Sequence, residues 1–196
     1  MPTLILKFNA PLQSWGTTLK LKNHYTHPYP SKSGVIGMIA SAMGRKRDED
    51  LTDLSDLRFG VRVDNPGTII DDFQVSEVSS KEKKIGHRTY LSDACFICGI
   101  EAQEDILAGI KNALLHPANA LFLGRRSCPV TVDLVQGIVN EELEKALNDY
   151  ESNKERKMMI IDSQDSLGEA VRDQPISFSP FNRQYRYRFV ETKFTK

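Results

Sequence analysis

The chain has 196 residues, 40% of them hydrophobic and 27% charged, which fits an ordinary globular protein of one domain or two small ones with a proper core. No run approaches the ~18 apolar residues of a membrane-spanning helix, no basic start leads into an apolar signal core, and three cysteines, an odd number, argue against a disulfide framework. The expectation is a cytoplasmic protein with no membrane partner.

The formal net charge is zero, but it is unevenly spread. Residues 1–47 hold seven cationic side chains (Lys7, Lys20, Lys22, Lys32, Arg45, Lys46, Arg47) and no Asp or Glu. The tail after Gln174 carries Arg183, Arg186, Arg188, Lys193 and Lys196 against Glu191 alone, while acid concentrates at Asp48–Asp56 and Glu141–Glu155. Such segregation suggests one face for a polyanion and another for protein neighbours or solvent.

Thr3–Phe8 alternates, with Leu4, Leu6 and Phe8 apolar against Thr3 and Lys7, and predicts a first strand; Ile5 is the exception. Leu12-Gln13-Ser14-Trp15-Gly16 reads as a loop whose tryptophan either stacks on a base or anchors the loop in the core. Thr17–Tyr29 interleaves Lys20, Lys22, His24, Tyr25, His27 and Tyr29, a mixture that suits single-stranded RNA. Pro30 then breaks the chain and Ser31 or Ser33 caps a helix. Val35, Ile36, Ile39, Ala40 and Met43 form its apolar face; Gly34, Gly37, Ser41 and Gly44 form a face of small residues. Because glycine costs about 1 kcal/mol in a helix interior, that small face implies another backbone against it, protein or nucleic acid. The free amides and Lys32 at the helix start suit a phosphate; a buried helix with a polar cap is the plainer alternative.

Asp48–Asp56 is an acidic connector or short helix. Leu57–Asp64 alternates as a strand, Asn65-Pro66-Gly67 turns, Thr68–Val75 resumes strand character, Ser76–Gly86 is a polar, Lys-rich excursion, and Arg88–Leu91 returns, a hairpin arm. Cys95 and Cys98 lie in the strand Ala94–Ile100, where residues three apart face opposite ways, so the two thiols share no metal. Ile106, Leu107, Ile110, Ala113 and Leu114 mark a second helix ending at His116-Pro117. In Leu123-Gly124-Arg125-Arg126-Ser127-Cys128-Pro129 the glycine permits an unusual turn, and two arginines offer forked donors to phosphate or form ion pairs. Leu143, Ala146, Leu147 and Tyr150 define an acidic third helix, and Met158–Ile161 and Tyr185–Val190 read as closing strands. Strand–helix–strand–strand–helix–strand is the α+β, ferredoxin-like order.

Five blocks carry a resemblance: Ala10–Gly16, Pro30–Gly44, Phe59–Asp64, Tyr90–Ala94 and Leu123–Pro129, with Arg172-Asp173-Gln174-Pro175 and the aromatic-basic end matching more loosely. In that order they resemble the CasD family, subunits of type I-E CRISPR Cascade complexes in the RAMP superfamily. The resemblance implies a ferredoxin-like, RRM-like domain over residues 1–130 with a projecting β-hairpin thumb around 68–91. It also implies a small β-rich extension over 131–196 packing on that domain. It further implies a subunit that binds the 5′ handle of CRISPR RNA (crRNA), caps the backbone filament, contacts CasC-type backbone and CasA-type large subunits, and meets target DNA only within the complex.

On that reading Ser31, Lys32, Ser33 and Gly34 capture a phosphate, Arg125, Arg126 and Ser127 clamp another, and Gln13 and Trp15 frame an unstacked nucleotide. The stretch between Asp72 and Arg88 is shorter than the family's thumb, so only Arg88 is carried over from it. No cofactor, metal or catalytic residue is expected. The alternative is a metal-independent CRISPR repeat endoribonuclease like the type I-C relative, drawing its base and acid from His24, Tyr25, His27, His87 and Tyr90.

Overall fold

The computed structural model describes residues 1–16, 25–79, 82–151, 155–163 and 168–195; Lys20, Lys22, His24 and Lys196, singled out above, lie outside them. In chain order the elements are β1 (Thr3–Asn9), β2 (Leu12–Gln13), β3 (Trp15–Gly16), β4 (Thr26–His27), α1 (Lys32–Ala42), α2 (Thr52–Ser55), β5 (Arg58–Asn65) and β6 (Thr68–Ser79). They continue with β7 (Glu82–Ser92), β8 (Cys95–Glu101), α3 (Glu104–Leu115), β9 (Val135–Val139), α4 (Leu143–Asp149), β10 (Met158–Asp162), β11 (Glu169–Ser177) and β12 (Gln184–Phe194). The result is a mixed α/β protein built mostly on antiparallel sheet.

One seven-stranded sheet runs β11-β12-β10-β5-β8-β1-β9, and its paired strands are antiparallel. Strands from the last third of the chain therefore flank the earlier ones on both sides: β9 pairs with β1, and β10 with β5. The long β6 and β7 pair with each other, and with the short β2, in a separate three-stranded sheet. The polar excursion expected over Ser76–Gly86 is mostly strand, because the β6–β7 ladder holds register from Thr68↔Ser92 to Glu77↔Lys83.

Burial on both faces of the large sheet explains Ile5. Leu4, Leu6, Phe8, Phe59, Val61, Phe96 and Ile100 form one core with α1 and α3. Ile5, Ile97, Met159 and Ile161 form a second core on the opposite face, under Leu143, Ala146 and Leu147 of α4. This helix sits low because Gly60 and Gly99 are cross-strand partners, and side chains there would meet Leu147 at 2.9 Å and Leu143 at 2.5 Å. Arg62, 1% exposed, donates from Nη1 to the carbonyls of Leu147 and Tyr150 and so satisfies the C-terminal end of α4. Cys95 is half-buried and Cys98 fully buried, both free thiols pushed up by burial. No helix among the described residues is long and apolar enough to cross a membrane.

Candidate nucleic-acid interface

The start of α1 is an anion site, but the anion is already there. Ser31 is the N-cap, its Oγ accepting from the Gly34 amide at 3.3 Å. The Lys32 amide donates to Asp173 Oδ2 at 2.8 Å, so a carboxylate from β11 occupies the place expected for a phosphate. The Lys32 side chain is consumed as well: it is 2% exposed and its Nζ lies 3.0 Å from Asp162 Oδ2. Burial pulls the Lys32 ammonium below its ordinary value, against the attraction of Asp162. Arg188 completes the cluster, donating from Nε and Nη2 to Asp173 at 2.5 and 3.0 Å and from Nη1 to Asp162 at 2.5 Å. Burial opposes the Arg188 charge, but its bonds to Asp173 and the two carboxylates outweigh that and raise its affinity for the proton. Two cations and two carboxylates thus neutralise each other beneath the helix, and phosphate capture by Ser31 and Lys32 gives way to a structural role.

The small face of α1 has an occupant too. A Cβ on Gly34 would lie 2.8 Å from Trp15 Cε3. Trp15 is 0% exposed, stacks 5.3 Å from Phe8, and donates from Nε1 to Gln13 Oε1 at 3.2 Å. Gln13, equally buried, donates from Nε2 to the carbonyls of Phe8 and Ala94 at 3.0 and 2.8 Å. With their polar atoms satisfied internally and no surface to offer, Gln13 and Trp15 anchor the loop; the nucleotide-framing expectation is corrected. Of the helix-start group, Ser33 and Gly34 keep partial exposure, and Ser33 Oγ lies 3.5 Å from Ser31 Oγ.

The arginine pair fares differently. Gly124 has φ +82 and abuts the Ser14 carbonyl so closely that a Cβ would come within 1.7 Å of its oxygen. The turn is closed by Leu123 N donating to Cys128 O (2.7 Å) and Cys128 N to Arg125 O (2.9 Å). Arg125 lies 5.7 Å over the Tyr90 ring and donates from Nε to Ser14 Oγ at 2.9 Å, while Ser127 Oγ is 3.4 Å from Tyr90 Oη. Arg126 and Ser127 are exposed and Arg125 half-buried. Arg88, half-buried, sits two residues before Tyr90 on the same face of β7, about 7 Å along the strand. Arg88, Arg125, Arg126 and Ser127 are therefore brought to one corner, with Ser14 and Tyr90 as supports that sequence spacing does not reveal.

Of the acid–base candidates, His24 lies outside the described residues, and His87 and Tyr90 do not meet. His87 and Tyr90, three apart on β7, face opposite ways. His87 Nδ1 lies 3.1 Å from Asp71 and its ring packs edge-on to Phe73 at 5.3 Å, whereas Tyr90 is 5% exposed beneath Arg125. His27 is on β4, paired with Trp15, and burial lowers its pKa. Tyr25 is 44% exposed. Among the described residues no group of three or more His, Cys, Asp or Glu is arranged to hold a metal ion.

Residues 3–191 match the family described as "CRISPR-associated protein (Cas_Cas5)". The chain is also 31% identical over 173 residues to "CRISPR system Cascade subunit CasD" of Escherichia coli (strain K12), covering 76% of each. Among solved structures, a chain of a "CRISPR RNA-guided surveillance complex" superposes with TM-score 0.85 at 27% identity, over 98% of this chain and 90% of that one. A second, described as "Crystal structure of Cas protein", gives TM-score 0.76 at 35% identity, over 98% and 94%. The chain belongs to the Cas_Cas5 family.

Proposed function

We propose that this chain is a non-catalytic subunit of a Cascade surveillance complex that binds the 5′ handle of crRNA and caps the backbone filament. The observation that carries the reading is the corner of Arg88, Arg125, Arg126 and Ser127, with Arg125 to Ser127 on a turn pinned to Ser14 and Tyr90 and Arg88 on the adjoining β7. Forked guanidinium donors on a rigid support suit phosphates, and phosphate contacts set the position of a strand whose bases are read elsewhere. In support of a ferredoxin-like RAMP core, β9-β1-β8-β5 lie side by side with α1 and α3 as the connecting helices; β6 and β7 serve as the thumb. CasC-type backbone and CasA-type large subunits are the partners, target DNA is met within the complex, and the assembly works in the cytoplasm. The separation of His87 from Tyr90 weighs against the nuclease alternative.

The test is handle-RNA affinity against salt. Arg125→Ala with Arg126→Ala weakens binding with little regard to base sequence and flattens the slope of log affinity on log salt by about 0.7 for each lost contact. Unchanged affinity and slope overturn the assignment.

A further inference from the structure

The outer edge of the large sheet carries a surface that handle binding leaves unused. Side chains alternate along β12. Arg186 reaches Asp56 and Arg188 lies over Phe59, so both point to the α1 and α2 layer. The Tyr185 ring lies 6.5 Å from Phe178, which packs against Gly37 of α1, whereas Tyr187 and Phe189 consequently point to the other layer. There α4 packs on β1, β5 and β8, and the rings beyond it stand open: Tyr187 is 61% and Phe189 37% exposed. Arg172 of β11 sets its guanidinium 5.9 Å over the Tyr187 ring and donates from Nε to the Tyr185 carbonyl at 3.4 Å.

Charge makes the strip selective. From Ala170 to Phe189 the sequence has four arginines and one acid, Asp173. That acid is 3% exposed and turned inward onto Arg188 and the start of α1. Arg172 and Arg183 of that stretch are exposed, and Glu191, next on the same face after Phe189, is held by Ser163 Oγ and Lys193. Aromatic rings displayed two residues apart on a sheet face are the means by which RNA-recognition sheets seat successive bases. Every base has a π-face, so such a platform tolerates any sequence.

We propose that Tyr187 and Phe189, with Arg172 and Arg183, form a second contact surface for single-stranded nucleic acid: bases stack on the rings and the arginines hold phosphates. This surface is separate from the Arg125–Arg126 corner and takes a strand without regard to the handle sequence.

The test uses the full chain with fluorescein-labelled oligouridylate and oligothymidylate of about 20 nucleotides, longer than the usual single-strand footprint, at low salt. Tyr187→Ala with Phe189→Ala lowers affinity about tenfold or more for whichever strand binds. Arg172→Ala flattens the salt slope by about 0.7, and Tyr187→Trp retains binding. A preference for uridylate or thymidylate assigns the strip to RNA or to DNA. Both substituted rings are exposed, so thermal melts should match the unmodified chain; if the double variant misfolds, Tyr187→Ser alone carries the test. Three results overturn the proposal: an unmodified chain that retains neither strand, variants that bind as it does, or variants that keep both strands and lose sister subunits, which would make the strip a protein dock. Arg125→Ala with Arg126→Ala, read on handle RNA, reports on the other reading independently.

Discussion

Gly34→Val separates protein packing from ligand approach at α1. The substitution gains a few tenths of a kcal/mol in helix propensity. Against it, the first added carbon lies 2.8 Å from Trp15 Cε3 and 3.1 Å from both Trp15 Cζ3 and Ser31 Oγ, where carbons prefer about 3.5–4.0 Å. Trp15 cannot swing aside, because it is fully buried, pressed on Phe8 and tied to Gln13. Overpacking a fixed site costs about 1–3 kcal/mol per insertion, and valine adds two further methyls. Overpacking wins, and the net loss is about 2 kcal/mol or more. For a chain of this size that lowers Tm by roughly 4–8 °C or more, read by circular dichroism, with handle affinity measured on protein still folded. A variant that melts within about 2 °C of the unmodified chain yet loses RNA would refute the argument, since it would put nucleic acid against Gly34.

Asp173→Asn strips the charge that balances Arg188 and caps Lys32, and breaking a buried set of this kind costs about 3–5 kcal/mol; a urea titration showing less than about 1 kcal/mol would contradict the cluster's role. Gly124→Ala forces a Cβ into the Ser14 carbonyl at a φ of +82, so both stability and handle affinity should fall, and a neutral outcome would mean the turn rearranges freely. The purified chain should leave CRISPR repeat RNA uncut over hours at neutral pH, with or without EDTA. Cleavage at one position that is lost in His87→Ala or Tyr90→Phe would sink the non-catalytic reading.

The order of strands and helices around β1, α1, β5, β8 and α3 is legible because each carries a clean period. The missed strands fail for physical reasons. β9 is interrupted by Gly137, whose φ is +135, and its residues are all half-buried, so no alternation shows. β11 contains Arg172-Asp173-Gln174-Pro175, whose polar run shows no strand period; Asp173 and Gln174 are polar because they face buried partners, Arg188 for one and the Ser55 carbonyl for the other. The helix start reads correctly as a place for negative charge, but composition cannot tell a phosphate from a carboxylate supplied 141 positions downstream. Likewise the glycine face announces a close neighbour without naming Trp15. The arginine turn is readable; its supports, Ser14 and Tyr90, come from distant segments that only the fold brings together.

The long reach from Lys32 to Asp173 also sets a timetable. Synthesis at about 5–20 residues per second places roughly 7–28 s between the two. During that interval α1 emerges with Lys32 uncompensated and with the Asp173 cap not yet made. A positive helix end presented by a nascent chain attracts any polyanion near the ribosome, RNA included. Arrival of β11 and β12 withdraws that end into the interior, where Asp173, Asp162 and Arg188 enclose it.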